Sequence, residues 1–179
     1  MFFDTHFHLD LVKDPKSTIQ SIEQQKIYTI AVTNLPKLYS NTEQLCNGLK
    51  YIRPALGYHP ELAYNHSDQL SLFESLITRT KYIGEIGLDN QQKTIEDYET
   101  QKNIFKKIIS LCADEKDKVL SIHSRKAEKD VINIIGSDYP GKVILHWYSG
   151  SLNIMETAIK YGFYFSVNLN MTNSKHGRN

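Results

Sequence analysis

Short apolar runs with strand character alternate with segments of helical periodicity along the whole chain. That alternation restricts the fold more than any other feature. Parallel strands cannot be joined by tight turns and need a crossover, usually a helix, so repeated βα units lead to a parallel sheet with helices outside it. The period-2 runs predict strands at residues 2–8, 28–33, 51–57, 82–86, 119–122, 142–145 and 163–169. Between them the spacing predicts helices over 17–26, around 42–49, from Asp68 onward with Asp68 as cap, and over 94–113, 127–135 and 154–161. The longest keeps Ile95, Tyr98, Ile104, Phe105, Ile108 and Cys112 on one face. An open doubly wound sheet would normally carry a Gly-rich turn after its first strand, and none follows Phe2 to His8. A TIM (β/α)8 barrel lacking its eighth βα unit is therefore the expected architecture.

With 179 residues and 40% hydrophobic content, the chain is long enough for one domain with a substantial core. There is no Pro, Gly or Ser-rich linker and no repeat beyond the βα alternation, so residues 1–179 are expected to form a single domain. Apolar runs fall far short of the roughly 20 residues that cross a bilayer, and Met1-Phe2-Phe3-Asp4 lacks the basic flank of a secretory signal. A cytoplasmic location without membrane association is the default expectation. Cys46 and Cys112 have no zinc-knuckle spacing and read as buried small residues. A formal charge of +1 gives no general basic footprint for gripping duplex phosphates. The clusters Lys102 to Lys107 and Arg125 to Lys129 alternate with acidic or apolar residues and read as solvated helix faces.

The strand-like runs end in potential metal ligands: His6-x-His8, His59, Glu85, His123 and His146. Strand side chains alternate faces, so His6 and His8 project to the same side. A parallel barrel gathers such strand ends at one mouth. Imidazole and carboxylate donors without thiolates suit zinc, manganese or, with fewer histidines, magnesium. The two oxygens of Glu85 allow it to bridge two ions, and paired ions about 3.5–4 Å apart support phosphoester hydrolysis. Gly84 and Gly87 are expected to leave backbone room beside them. Any one histidine alone would more often be a satisfied polar residue; the joint pattern argues otherwise. His66 and His176 read as surface residues, Asp10 and Asp89 as loop and cap residues, and Asp4 either as an acceptor for a ligand imidazole or as a strand-end polar group.

The motifs Asp4-Thr5-His6-Phe7-His8-Leu9-Asp10, Ala55-Leu56-Gly57-Tyr58-His59-Pro60, Gly84-Glu85-Ile86-Gly87-Leu88-Asp89, Val119-Leu120-Ser121-Ile122-His123-Ser124-Arg125 and Val143-Ile144-Leu145-His146 resemble those of the TatD family of metal-dependent deoxyribonucleases. Leu145-His146-Trp147-Tyr148-Ser149-Gly150-Ser151 and the tail Ser174-Lys175-His176-Gly177-Arg178 are also similar to the TatD-like (QatD) proteins of Qat anti-phage islands. The resemblance implies a TIM barrel of the metal-dependent hydrolase type, two divalent ions, and a metal-activated water that attacks a DNA phosphodiester. It further implies that His6 and His8 hold the first ion, Glu85 bridges, and His123 with His146 holds the second. His59 would face the substrate phosphate, Arg125 would stabilise charge on phosphoryl oxygens, and Trp147 and Tyr148 would offer stacking surfaces to bases, although packing under a loop is the commoner fate of such rings.

One departure stands out. The family places a further metal-binding aspartate at the end of an eighth strand, whereas Glu156 is the last acidic residue here. The expectation is a C-terminally incomplete domain, with weak binding at the first metal site and depressed hydrolysis for this chain by itself. The implied substrate is DNA, as single strands or ends, with partner proteins of a defence operon. Two other readings remain open: an amide or ester hydrolase acting on a small molecule or an aminoacyl-RNA end, and a non-catalytic subunit of a defence complex.

Overall fold

The computed structural model describes residues 1–173. Seven strands lie side by side in chain order: β1 (Phe3–Phe7), β2 (Tyr28–Ala31), β3 (Ile52–Leu56), β4 (Tyr82–Gly87), β5 (Val119–His123), β6 (Lys142–Leu145) and β7 (Tyr164–Phe165). Every neighbouring pair is parallel. The expected partial TIM barrel is what forms, and no eighth strand occurs among the described residues.

The crossovers are built from α1 (Pro15–Gln25), α2 (Pro36–Leu45), α3 (Pro60–Ala63), α4 (Leu70–Leu76), α5 (Ile95–Asp114), α6 (Glu128–Ile135) and α7 (Leu152–Lys160), and α8 (Leu169–Asn173) follows β7. Their starts have local causes. Asp14 accepts the Ser17 N–H at 3.1 Å to cap α1, and Thr94 accepts the Asp97 N–H at 3.1 Å to cap α5. Proline opens α1, α2 and α3, where its missing N–H costs nothing.

Three boundaries differ from the periodicity. Helix α2 begins at Pro36 rather than near Thr42, because the proline presets the first turn and Tyr39 already faces the core. Asp68 does not cap α4; it lies in a 3-10 turn, and Gln69 precedes the helix without a side-chain cap. Strand β7 spans two residues instead of seven, pairing only Tyr164 with Ile144 and Phe165 with Leu145. With β6 on one side alone, the apolar alternation beyond Phe165 has no second strand to continue against, and Val167 is 70% exposed.

The main core lies where the helices cover the sheet. The inner face of α5, with Phe105, Ile108 and Cys112, packs with Phe73 of α4 and with Leu120 and Ile122 of β5. Both cysteines are buried, as expected. A smaller cluster of Leu9, Ala31, Cys46 and Ile52 sits under α1. Where β5 begins, the buried Lys118 ammonium donates to the Ile77 and Thr80 carbonyls at 2.9 Å each. Those bonds offset a desolvation cost that an unpaired ammonium could not bear. These bonds join the start of β5 to the segment before β4, at the end of the barrel opposite the C-terminal strand ends.

Candidate metal centre

His6 lies within β1 and His8 just beyond it; Glu85 lies in β4, His123 ends β5, His146 follows β6, and His59 precedes α3. The parallel sheet therefore delivers all six to one end of the barrel. His8, His59, Glu85, His123 and His146 line a cavity of about 540 Å³, together with Arg125 and Trp147. The His6 side chain, 4% exposed, lies beside Glu85.

Glu85 is the convergence point. Its Oε2 is 3.3 Å from His6 Nε2, 3.2 Å from His8 Nε2 and 3.4 Å from His59 Nε2. Its Oε1 is 2.8 Å from His123 Nδ1. Possible ligand atoms gather into two trios that share this carboxylate, His6–His8–Glu85 and His59–Glu85–His123, each within 4.8 Å. Burial works against the Glu85 carboxylate, yet contacts with His123, His59, His6 and His8 hold its pKa well below the usual range. Burial likewise lowers the pKa of His123, but Asp89 and Glu85 outweigh it and raise the value to about 9. His8 follows the same pattern, with Asp10 and Glu85 raising it to about 9. His146 goes the other way: burial, then the neighbouring His6, push it to about 3, so the ring stays neutral with a lone pair to offer.

The donor set fits a divalent cation. The His6 and His8 Nε2 atoms are 3.3 Å apart and both face the same carboxylate oxygen. Both rings thus aim a nitrogen at one anionic oxygen: protonated, they can donate to it, and deprotonated, they present two imidazole lone pairs beside a carboxylate, a donor set that suits zinc or manganese.

Further contacts fix the outer sides of the rings. His6 Nδ1 meets Ser121 Oγ at 2.8 Å, His123 Nε2 meets Asp89 Oδ2 at 2.7 Å, and His146 Nδ1 meets Ser166 Oγ at 3.3 Å. His59 differs: its Nδ1 accepts the Glu61 N–H at 3.2 Å. With a lone pair committed there, the neutral ring carries its proton on Nε2 and points a donor into the cavity.

His146 shares the cavity but belongs to neither trio; its ring stacks on His6 at 3.4 Å between centroids. Asp4 takes the strand-end role, accepting the backbone N–H of His6 at 3.1 Å. Asp89 is more than a loop residue, since it is fully buried against His123. Asp10 lies behind His8, its Oδ1 3.7 Å from Nδ1. Even spacing was the available signal for both: Asp10 continues the series 6, 8, 10, and Asp89 lies four residues past Glu85.

The glycines do not make room for metals. A Cβ on Gly84 would sit 2.8 Å from Ser121 Cβ, and one on Gly87 2.0 Å from the His123 carbonyl, so the space belongs to β5. Arg125 is exposed at the cavity. Trp147 adopts φ 44°, unusual for a bulky residue, and is 49% exposed there. Tyr148 is buried instead, donating to the Ser151 carbonyl at 2.8 Å and packing edge-on against Phe165, so it offers no stacking face. The tail Ser174 to Arg178, and with it His176, lies outside the described residues. Among the described residues no helix is long and apolar enough to cross a membrane.

Comparison with known proteins agrees with this geometry. The family model described as TatD related DNase matches residues 3–179. The chain is 30% identical over 176 residues to the uncharacterized metal-dependent hydrolase YabD of Bacillus subtilis, covering 93% of this chain and 68% of that protein. It is 26% identical over 185 residues to human deoxyribonuclease TATDN3, covering 92% and 66%. Among solved structures, the TatD homologue YJJV of Escherichia coli superposes with a TM-score of 0.80 at 22% identity, covering 96% of this chain and 69% of that one. The chain thus spans about two thirds of the length of these relatives.

Proposed function

This chain belongs to the TatD related DNase family of metal-dependent hydrolases, and from that premise we propose that it cleaves phosphodiester bonds in DNA with two divalent ions at the Glu85 cluster. The convergence of His6, His8 and His59 on one Glu85 oxygen, with His123 on the other, carries the reading. Human TATDN3 is named a deoxyribonuclease, which supports a nucleic-acid substrate.

His6 and His8 would hold the first ion, His123 with His146 would hold the second, and Glu85 would serve both. Zinc and manganese suit this set better than magnesium, which prefers oxygen donors. When bound, such ions supply a more acidic water and neutralise charge on phosphoryl oxygens. The protein's own groups do the rest. Glu85 keeps its negative charge in a buried site, His59 directs its Nε2–H toward a phosphoryl oxygen, and the Arg125 guanidinium balances charge that develops during displacement. Trp147 offers an indole face at the cavity on which an unpaired base can stack, which favours single strands or frayed ends.

The test is cleavage of a fluorescent single-stranded DNA with added manganese, beside His6→Ala and Glu85→Ala variants. Cleavage by the wild type that both substitutions abolish supports the proposal. Cleavage that survives both removes the metal-nuclease reading. Hydrolysis of amide or ester probes without DNA cleavage would move the same centre to a carbonyl substrate, and inactivity toward all of them despite metal binding would favour a role within a defence complex.

A further inference from the structure

We infer that Asp10 and Asp89 are positioning residues, one behind each trio, which select the nitrogen that His8 and His123 turn toward Glu85. The inference rests on the two-ion reading centred on Glu85 and adds residues that it did not use.

The His123 side is already closed. Asp89 Oδ2 takes Nε2 at 2.7 Å, leaving Nδ1 for the Glu85 side at 2.8 Å. Asp89 is itself anchored: Oδ1 accepts the Gln91 N–H at 2.7 Å, and its own N–H donates to Gln101 Oε1 at 2.9 Å. Gln101 in turn donates to Asp97 Oδ1 at 2.9 Å, so the first turns of α5 brace the loop that holds the imidazole. The ring cannot rotate to present its other nitrogen without breaking a buried charge-assisted bond.

The His8 side is poised rather than closed. His8 Nδ1 and Asp10 Oδ1 are buried atoms without a hydrogen-bond partner, and they stand 3.7 Å apart. Each is the nearest remedy for the other, because unmet polar atoms in the interior are costly. A shift of less than 1 Å would bring the pair to hydrogen-bond distance with Nε2 still facing Glu85. The two trios thus present opposite ring nitrogens, Nε2 from His8 and Nδ1 from His123, each with an aspartate on its far side.

The experiment is calorimetric titration of the full chain with Mn²⁺, using wild type, Asp10→Ala, Asp89→Ala and the near-isosteric Asp10→Asn and Asp89→Asn. Long-range ¹⁵N–¹H spectra of the imidazoles on diamagnetic Zn²⁺-loaded samples accompany it. Each alanine variant is expected to weaken one of the two binding events by about 10- to 100-fold, and each asparagine variant, which keeps an acceptor oxygen, by less. Wild-type spectra are expected to place the remaining proton of His123 on Nε2 and that of His8 on Nδ1. Circular dichroism separates misfolding from lost positioning, and if Asp89→Ala unfolds, the Asp89→Asn affinity and spectrum decide. Wild-type affinity and ring protonation in folded variants would overturn the inference while leaving the metal centre standing. Absence of metal binding by the wild type would overturn both.

Discussion

The imidazoles of His6 and His146 lie face to face, 3.4 Å between centroids and 9° from parallel. One comes from β1, at one edge of the seven-strand order, and the other from the end of β6, one strand from the opposite edge. The stack keeps His146 neutral beside Glu85, since burial and the adjacent ring lower its pKa to about 3.

His146→Ala should therefore remove a neutral donor without leaving a buried charge unpaired. The expected outcome is a folded protein whose melting temperature changes little, but whose hydrolysis falls by at least about 100-fold, since loss of a ligand should cost no less than loss of an outer partner. Steady-state assays beside thermal denaturation check both halves.

His59→Ala separates binding of metal from use of it. Because Nδ1 is committed to the Glu61 N–H, His59 acts as an Nε2–H donor, and metal stoichiometry should survive the substitution. The rate should fall by about 10²- to 10³-fold, as for loss of one preorganised donor to developing charge. Metal content and single-turnover kinetics on the same preparation distinguish this from loss of an ion.

Trp147→Ala should raise KM for single-stranded DNA by about 10- to 100-fold, equivalent to roughly 1–3 kcal/mol for one base stack, with little change in kcat. An abasic nucleotide at the cleavage position should abolish the difference between wild type and variant. A kcat effect with unchanged KM would place Trp147 elsewhere in the cycle.

Chelator-treated protein should lose stability as pH rises from 6.5 to about 9. His8 and His123 titrate near 9 in the fold against an ordinary 6.5, so their contribution is full below 6.5 and disappears through 9. His146 and Glu85 set the acid side. His146 is held to about 3 against an ordinary 6.5, so stability falls as pH drops from 6.5 toward 3. The lowered Glu85 carboxyl adds a contribution that is present above 4.5 and lost as pH falls further. Added Mn²⁺ should shift the optimum upward, because ligation needs unprotonated imidazoles. Melting temperatures across pH 4 to 10, with and without chelator, test the sign.

Strand order and the gathering of the candidate ligands were legible because both follow from short-range patterns: apolar alternation marks each strand, and a polar residue at its C-terminal end lies at the barrel mouth. Boundaries set by tertiary context were not. The apolar run beyond Phe165 reads as a strand yet lacks a second neighbour, and Pro36 starts α2 in a segment whose core contacts come from distant residues. The outer partners Ser121 and Ser166 escaped notice, and Asp89 read as a loop or cap residue, because their contacts bridge separate elements. The ring orientation that sets His59 apart from the other imidazoles is likewise a three-dimensional property.

The most direct test of the Glu85-centred account is the Mn²⁺ stoichiometry and affinity of the wild type beside Glu85→Gln, which keeps the side chain's shape and removes its charge. Two bound ions in the wild type, and fewer or more weakly bound ions in the variant, are predicted. Equal stoichiometry and affinity in the two proteins would contradict it.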